Sequence, residues 1–226
     1  MLFVMWIKVC GLTRPQDAEC CSACGVDAVG INLYTGPRRV DLKQAAEILR
    51  ALPAGIVPVA LVQVRKGRID APVLRFALDH RVRRLQLYGD VSPEQLQNLL
   101  DDSFEPIVIR PVSDANFATA DSSSWSSADA VRPWAVLLDT HDPDAAGGTG
   151  RPFPWEWIAN ARKGDRLDNW PPLILAGGLT PENVARAVTI ARPYGVDVSS
   201  GVESAPGRKD PERIRAFVEA ARGAES

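Results

Sequence analysis

A cysteine and an aspartate stand where two apolar segments of the sequence end. Cys10 follows Trp6–Val9, and Asp139 follows Val136–Leu138. A partly buried carboxyl group has a raised pKa and can donate a proton near neutral pH, and a thiol can accept one once it is ionised. The two residues are therefore candidates for general acid–base catalysis. A small buried hydrophobe at Cys10 and a turn cap at Asp139 are the alternative interpretations.

Two segments rich in glycine and serine could bind an anion. Gly177 and Gly178 come between an apolar segment and an amphipathic one, and Ser199 and Ser200 follow the next apolar segment. Backbone N–H groups at such junctions can point at a phosphate, especially where a helix begins. The sequence therefore predicts a phosphate site formed by these four residues.

Two further loops carry candidate ligands. Arg38 lies in Gly36–Val40, and a guanidinium there could hold a carboxylate through two parallel hydrogen bonds, although most loop arginines are only solvated. Gly147–Gly150 has three glycines around a threonine, which suits either a turn or a mobile lid. A thiol, a carboxyl, a phosphate site and a carboxylate ligand together suit acid–base isomerisation of a phosphorylated acid.

The elements that must position these residues alternate along the chain. Short segments rich in Val, Ile and Leu alternate with amphipathic ones, which is typical of strands buried on both faces and covered by helices. The predicted strands are Phe3–Val9, Ala28–Leu33, Val57–Val64, Arg84–Leu87, Pro106–Arg110, Ala135–Asp139, Leu173–Ala176 and Val196–Ser199. The predicted helices are Pro15–Cys24, Leu42–Leu52, Ala71–Asp79, Pro93–Leu100, Trp155–Ala161, Pro181–Ala191 and Pro211–Ala221, with Thr180 and Asp210 capping the last two.

This repetition predicts the α/β class, with a parallel eight-stranded sheet closed into a (β/α)8 barrel. An open doubly wound sheet is the alternative. We expect one domain over residues 1–226, with a flexible surface insertion at 113–131 and a second surface excursion at 163–172. In such a barrel the carboxyl ends of the strands form the active-site face, and the candidate residues follow those ends.

Composition excludes several functional classes. The chain has 226 residues, 46% of them hydrophobic, and its 26 Lys and Arg against 28 Asp and Glu leave a net charge of −2. Nucleic-acid and anionic-membrane binders need clustered positive charge, so we expect neither partner. No apolar segment has the roughly 18 uncharged residues that a membrane span needs, and no secretory signal is evident. We expect a cytoplasmic protein with reduced cysteines; the spacing of Cys21 and Cys24 fits a metal motif poorly because only 2 histidines exist.

The ordered motifs resemble the phosphoribosylanthranilate isomerase family over nearly the whole chain. The motifs that carry this resemblance are Lys8–Thr13, Gln86–Gly89, Leu137–Thr140, Gly147–Gly150, Leu175–Leu179 and Asp197–Glu203, with Pro206–Asp210 similar to the family's ending. The resemblance implies a tryptophan-biosynthetic enzyme that converts N-(5-phosphoribosyl)anthranilate to 1-(2-carboxyphenylamino)-1-deoxyribulose 5-phosphate without a cofactor or metal. It allows a monomer or a homodimer acting on this small phosphorylated substrate.

The resemblance also implies a role for each candidate residue. Asp139 would be the general acid on the furanose oxygen, and Cys10 would be the general base at C2. Arg38 would hold the anthranilate carboxylate, with Gly177, Gly178, Ser199 and Ser200 around the phosphate. A thiol with an ordinary pKa near 8.5 is mostly protonated at neutral pH, so we expect Lys8, which has the same strand parity, to assist Cys10.

Two positions depart from the family pattern. Tyr88, which the resemblance places among the substrate-binding residues, stands where the family usually has histidine. Tyrosine keeps a hydrogen-bond donor there but loses the imidazole. The loop Asn32–Pro37 also differs and is slightly short. A related barrel isomerase acting on another aminosugar or ketose phosphate, or a catalytically silent binding barrel, is therefore the alternative function.

Overall fold

The computed structural model of the chain describes residues 4–115, 117–120, 130–140 and 152–224, with the side chains of residues 119 and 120 left out. Eight parallel strands form a closed barrel in chain order: β1 (Trp6–Val9), β2 (Ala28–Asn32), β3 (Val57–Gln63), β4 (Arg84–Tyr88), β5 (Glu105–Val112), β6 (Ala135–Thr140), β7 (Leu173–Leu175) and β8 (Gly195–Val198). The prediction of a (β/α)8 barrel is confirmed, because β8 pairs with β1 and closes the sheet. Each predicted strand overlaps an observed one, although the first begins at Trp6, and Met1–Phe3 lie outside the described residues.

Seven of the eight described helices follow the strands as the amphipathic pattern predicts. The helices are α1 (Pro15–Ala23), α2 (Leu42–Arg50), α3 (Ala71–Asp79), α4 (Pro93–Asp101), α5 (Phe117–Ala120), α6 (Glu156–Lys163), α7 (Val184–Ala191) and α8 (Pro211–Gly223). Of these, α5, within the predicted insertion, was not predicted. Side-chain caps fix several starts. Asp210 accepts hydrogen bonds from the N–H groups of Glu212 and Arg213, as predicted, and Ser92 forms a reciprocal capping box with Gln95.

The start of α7 differs from the prediction. The helix begins at Val184 rather than Pro181, and the expected cap at Thr180 is wrong. The Thr180 N–H instead donates to Asn183 Oδ1 at 2.8 Å, and Asn183 Nδ2 donates to the Gly178 carbonyl at 2.9 Å. The Asn183 side chain thus ties the glycine pair after β7 to the start of the helix, and residues 181–183 form a turn.

Side chains that point into the barrel form layers along its axis. An apolar cluster, which includes Ala28, Val59, Ile107, Leu137 and Ile174, fills the interior. Alanines and larger apolar side chains together fill this layer, so the barrel interior is a packed core. Above this layer, toward the carboxyl ends of the strands, the interior turns polar, with Lys8, Gln86 and Asp197 all buried. The core therefore places charged groups directly beneath the active-site face.

A small hairpin after β8 was not predicted. A 3-10 turn at Ser200–Val202 leads into β9 (Glu203–Ala205), which pairs with β10 (Arg208–Lys209) in antiparallel fashion. This hairpin folds back over the carboxyl end of the barrel, because Thr13 Oγ1 donates to the Gly207 carbonyl at 2.6 Å. It therefore brings charged residues from late in the sequence to the mouth.

Two predicted loop features fall largely outside the described ranges. Residues 121–129 and the Gly147–Gly150 segment lie there, so a flexible insertion at 113–131 within a single domain stays a prediction. Where this insertion is described, Phe117 is buried against the main core. The 163–172 segment also contributes to that core, since Leu167 is buried. None of the helices in the described ranges has the length and apolar character to cross a membrane.

Candidate active site

A cavity of about 480 Å³ opens at the carboxyl ends of the strands. It is lined by every residue that the sequence analysis predicted for the site: Cys10, Arg38, Tyr88, Asp139, Gly177, Gly178, Ser199 and Ser200. These residues come from the ends of six different strands or the loops that follow them. The barrel closure therefore brings together residues that lie up to 190 positions apart, as Cys10 and Ser200 do.

Cys10 lies at the end of β1 and is held on two sides by its backbone. Its N–H donates to the Val198 carbonyl at 2.7 Å, and its carbonyl accepts from Ser199 Oγ at 3.0 Å. Lys8 is on the same strand and is fully buried beneath it, where its ammonium pairs with Asp197 Oδ1 at 2.8 Å. The lysine also interacts with the Cys10 thiol, so the expected proximity of Lys8 and Cys10 is present.

Opposing effects act on the Cys10 thiol. Burial raises its pKa, and the charge of Asp197 adds to that increase. Lys8 and Lys209 act in the opposite direction, but the net pKa lies above its usual range. Burial therefore favours the thiol over the thiolate at Cys10, and Lys8 limits the cost of ionising it.

Asp139 has the environment of a proton donor. Burial, followed by the charge of Asp197, raises the pKa of its carboxyl group to about 6. The Thr140 backbone N–H and Lys8 act against this rise. A carboxyl group with a pKa near 6 retains a protonated fraction at neutral pH and is a good general acid there.

The predicted phosphate residues form one side of the cavity, after β7 and β8. Gly177 has φ +83°, and a Cβ there would lie 2.7 Å from the Thr140 nitrogen and 3.0 Å from Asp139 Oδ1. Only glycine allows the β7 loop to approach the end of β6 this closely. The phosphate loop and the proposed acid are consequently neighbours.

Arg38 reaches the cavity with part of its guanidinium already bound. Its Nε and Nη2 donate to the two carboxylate oxygens of Glu203, each at 2.7 Å. Because that edge is taken, a substrate carboxylate would have to meet Nη1 and the second N–H of Nη2, which form another parallel pair. The predicted role of Arg38 is compatible with this geometry.

Tyr88 lies at the end of β4 and stacks on Tyr34, with ring centroids 5.2 Å apart and planes at 27°. Its hydroxyl accepts a hydrogen bond from Gln86 Nε2 at 3.1 Å. Burial, followed by the neighbouring acidic groups, raises its pKa well above the usual value. Tyr88 therefore stays neutral, and its hydroxyl proton is available to a ligand.

Sequence reasoning missed several residues around the cavity. It assigned no role to Asp197, Glu203 or Lys209, although all three are buried charged groups. The signal was present at Asp197, an acid inside the apolar segment Val196–Val198, where an unpaired charge would be costly. Within the described part of the chain, no group of three or more His, Cys, Asp or Glu could hold a metal ion.

Comparisons with known proteins agree with one another. A family model described as N-(5'phosphoribosyl)anthranilate (PRA) isomerase matches residues 7–220. A relative from Geobacter sulfurreducens named N-(5'-phosphoribosyl)anthranilate isomerase is 43% identical over 218 residues, covering 96% of this chain and 98% of the relative.

Solved structures give the same result. The crystal structure of phosphoribosyl anthranilate isomerase from Thermotoga maritima superposes with a TM-score of 0.82 at 31% identity, covering 97% of this chain and 99% of that one. A second crystal structure of such an isomerase, in complex with reduced 1-(o-carboxyphenylamino)-1-deoxyribulose 5-phosphate, has a TM-score of 0.79 at 29% identity with the same coverage.

Proposed function

The chain belongs to the N-(5'-phosphoribosyl)anthranilate isomerase family, and we propose that it carries out this isomerisation of tryptophan biosynthesis with Asp139 as general acid and Cys10 as general base. The observation that carries the assignment of residues is that both groups line one cavity with the phosphate and carboxylate residues. The reaction is the Amadori rearrangement of N-(5-phosphoribosyl)anthranilate to 1-(2-carboxyphenylamino)-1-deoxyribulose 5-phosphate.

The substrate would lie across the cavity with its two anionic ends held on separate loops. Gly177, Gly178, Ser199 and Ser200 would take the phosphate, and Arg38 the anthranilate carboxylate. The sugar would then lie between Cys10 and Asp139. Holding both ends fixes the reacting carbons relative to the two proton-transfer groups, which supplies much of the rate enhancement in such reactions.

The first proton transfer opens the sugar ring. Asp139 gives its proton to the furanose oxygen, the bond between that oxygen and C1 breaks, and the nitrogen lone pair forms a C1–nitrogen double bond. The product is a positively charged Schiff base. The pKa of about 6 supports this role, because a stronger acid would hold too little of the protonated form at neutral pH.

The second transfer moves the double bond. Cys10, as thiolate, removes the proton from C2, the electron pair forms a C1–C2 double bond, and the nitrogen becomes neutral. The resulting enolamine then tautomerises to the ketone. Although burial raises the pKa of Cys10, the buried ammonium of Lys8 and the positive Schiff base both favour its ionised form.

Proton transfer is the only chemistry in this scheme, so we propose that no cofactor or metal takes part. We also propose that Tyr88 contacts the substrate through its hydroxyl group, in place of the family histidine. The protein would act on this small molecule as a monomer or a homodimer, with neither nucleic acid nor membrane as a partner. Analytical ultracentrifugation distinguishes the two assembly states.

Turnover and its loss in two variants test the assignment. Phosphoribosylanthranilate, freshly prepared, should lose its fluorescence when the purified protein is added. Cys10→Ala and Asp139→Asn should each lower kcat by about 10²- to 10⁴-fold, the usual contribution of a general acid or base. A variant that turns over as fast as the wild type would remove its residue from the mechanism. A wild-type protein that neither turns over the substrate nor binds a product analogue would refute the proposed substrate.

A further inference from the structure

We propose that Glu203 and Lys209 are positioning residues that aim Arg38 at the substrate carboxylate and tie it to the phosphate loop. The inference rests on the proposed function, since it assumes a substrate with a carboxylate at one end and a phosphate at the other. It concerns two residues of the β9–β10 hairpin that do not themselves line the cavity.

Glu203 fixes the direction of the Arg38 guanidinium. The two hydrogen bonds of 2.7 Å use Nε and one hydrogen of Nη2, and they hold the planar group in one orientation. The Glu203 side chain is 4% exposed, whereas that of Arg38 is 22% exposed and lines the cavity. The carboxylate thus lies behind the arginine, and the remaining donors of the guanidinium are left for a ligand.

The stem of Arg38 is held as well. It packs over Gly11, which has φ +78°, and a Cβ on that residue would come within 2.6 Å of Arg38 Cδ. The chain after β1 therefore takes a left-handed turn that only glycine adopts readily, and the arginine fills the space above it. Head and stem are both fixed before any ligand binds, which lowers the entropy cost of binding.

Lys209 keeps the cluster of Arg38, Glu203 and Lys209 positively charged. Its ammonium is buried and donates to Glu203 Oε1 at 2.8 Å. Burial alone would raise the pKa of Glu203, but its hydrogen bonds from Arg38 and Lys209 outweigh burial and lower it. One carboxylate between two cations leaves a net charge of one positive unit beside the cavity, which an isolated Arg38–Glu203 pair would not provide.

Lys209 also reaches the phosphate loop. The same ammonium donates to the Ser199 carbonyl at 3.1 Å, and Ser199 Oγ donates to the Cys10 carbonyl at 3.0 Å. Arg38, Ser199 and Cys10 are thereby connected through a single buried network. This network therefore fixes the spacing between the two anion-binding ends of the site.

A comparison of two ligands isolates the proposed role. The first is reduced 1-(o-carboxyphenylamino)-1-deoxyribulose 5-phosphate, the analogue found in a related crystal structure. The second is the same molecule without the carboxylate. Calorimetry on the wild-type protein should show tighter binding of the first ligand by at least about tenfold, the value of one charge-assisted hydrogen bond. In Glu203→Gln this preference should fall to within about twofold, with little change for the second ligand. Because the variant leaves more positive charge beside the cavity, such a fall reports lost orientation of Arg38 and not lost charge.

Two further variants make the result decisive. Glu105→Gln is the matched control, because Glu105 pairs with Arg84 at the same 2.7 Å at the opposite end of the barrel; it should keep the full preference. Arg38→Lys keeps the charge and leaves Glu203 neutralised, but it loses the two-pronged geometry, so it should lose the preference even if Glu203→Gln does not fold.

The possible outcomes separate this inference from the proposed function. A preference that persists in Glu203→Gln, or equal weakening of both ligands, overturns the positioning role. If the wild-type protein binds neither ligand, the proposed function itself fails. As an independent check on the active enzyme, Glu203→Gln should raise KM by about tenfold while kcat changes less. The contact between Arg38 and the substrate carboxylate contributes to substrate binding and not to the proton transfers.

Discussion

At the scale of single residues, Asp197 connects the two groups proposed to move protons. Burial raises the pKa of both Cys10 and Asp139, and the negative charge of Asp197 raises both further. Replacing it with asparagine removes that contribution at both groups. We expect both limbs of the pH profile of kcat/KM to move to lower pH in Asp197→Asn, by about one pH unit.

The control for this shift is Asp27→Asn. Asp27 is half-buried and accepts a hydrogen bond from the Ile7 N–H at 2.8 Å, but it lies at the start of the strands, away from the cavity. Its profile should match the wild type. An unchanged profile in Asp197→Asn would mean that the charge of Asp197 acts on Lys8 alone.

Lys8 should affect the reactivity of Cys10 in the opposite direction. Lys8 lowers the pKa of the thiol, so its replacement by methionine leaves a more basic and less ionised group. Iodoacetamide should alkylate Cys10 about tenfold more slowly in Lys8→Met than in the wild type at pH 8. Mass spectrometry of the digested protein measures this rate. Lys43→Met, an exposed lysine on α2, is the control. Equal alkylation rates in all three proteins would remove the pairing of Lys8 with Cys10.

How far single residues could be predicted depends on where they lie in the strand. Cys10 and Asp139 each follow an apolar segment, so a strand-end position and its chemistry can be inferred from neighbouring residues alone. Glu203 is different. It acts on Arg38, which lies 165 positions earlier, and nothing local shows that the hairpin folds back across the mouth. A long-range ion pair needs the closed barrel before it can be recognised.

At the scale of elements, β2 shapes the space around the catalytic thiol. Gly30 lies opposite Cys10, and a Cβ at that position would be 2.7 Å from Cys10 Sγ and 3.1 Å from Cys10 Cα. Any side chain at position 30 would therefore displace the Cys10 thiol. Gly30→Ala should lower kcat by about 10- to 100-fold, because a displacement of about 1 Å can cost that much, while overpacking destabilises the fold by about 1–3 kcal/mol.

Steady-state kinetics and urea unfolding measure these two effects. Gly223→Ala at the end of α8 is the matched control, since a Cβ there meets nothing within 4 Å. It should leave both quantities unchanged. Full activity in Gly30→Ala would show that the position of the thiol tolerates the shift.

The elements themselves were largely predictable because their apolar periods are strong. The strands are buried on both faces, and this produces short continuous apolar segments. The start of α7 was not predictable from Thr180-Pro181, because a proline turn and a helix start share that signature. The choice between them depends on the Asn183 side chain, which forms hydrogen bonds with the backbone of Gly178 and Thr180, so the helix does not extend toward Pro181. Tertiary contacts of this kind decide element boundaries.

At the scale of the whole molecule, the two ends of the barrel divide the work of chemistry and stability. The proposed catalytic and binding residues surround the carboxyl ends of the strands. The opposite end is closed by aromatic rings around a cation. Arg84 Cζ lies 3.7 Å from the centre of the Trp134 ring and 5.6 Å from that of Trp6, and the two tryptophans meet edge to face at 5.4 Å. This division is the one expected for (β/α)8 enzymes.

The division predicts that the aromatic end can be weakened without touching catalysis. Trp134→Ala removes the ring over Arg84 and its contacts with Trp6 and Tyr194, so it should lower the free energy of unfolding by about 2–4 kcal/mol. Leu78→Ala, at a side chain that is 55% exposed, should change it by no more than about 0.5 kcal/mol.

Urea unfolding and steady-state kinetics on the same preparations compare stability with catalysis. Because the apolar interior layer separates this end from the cavity, kcat and KM of Trp134→Ala should remain within about twofold of wild type. A large loss of kcat in a folded Trp134→Ala protein would show that the two ends are coupled through the barrel interior.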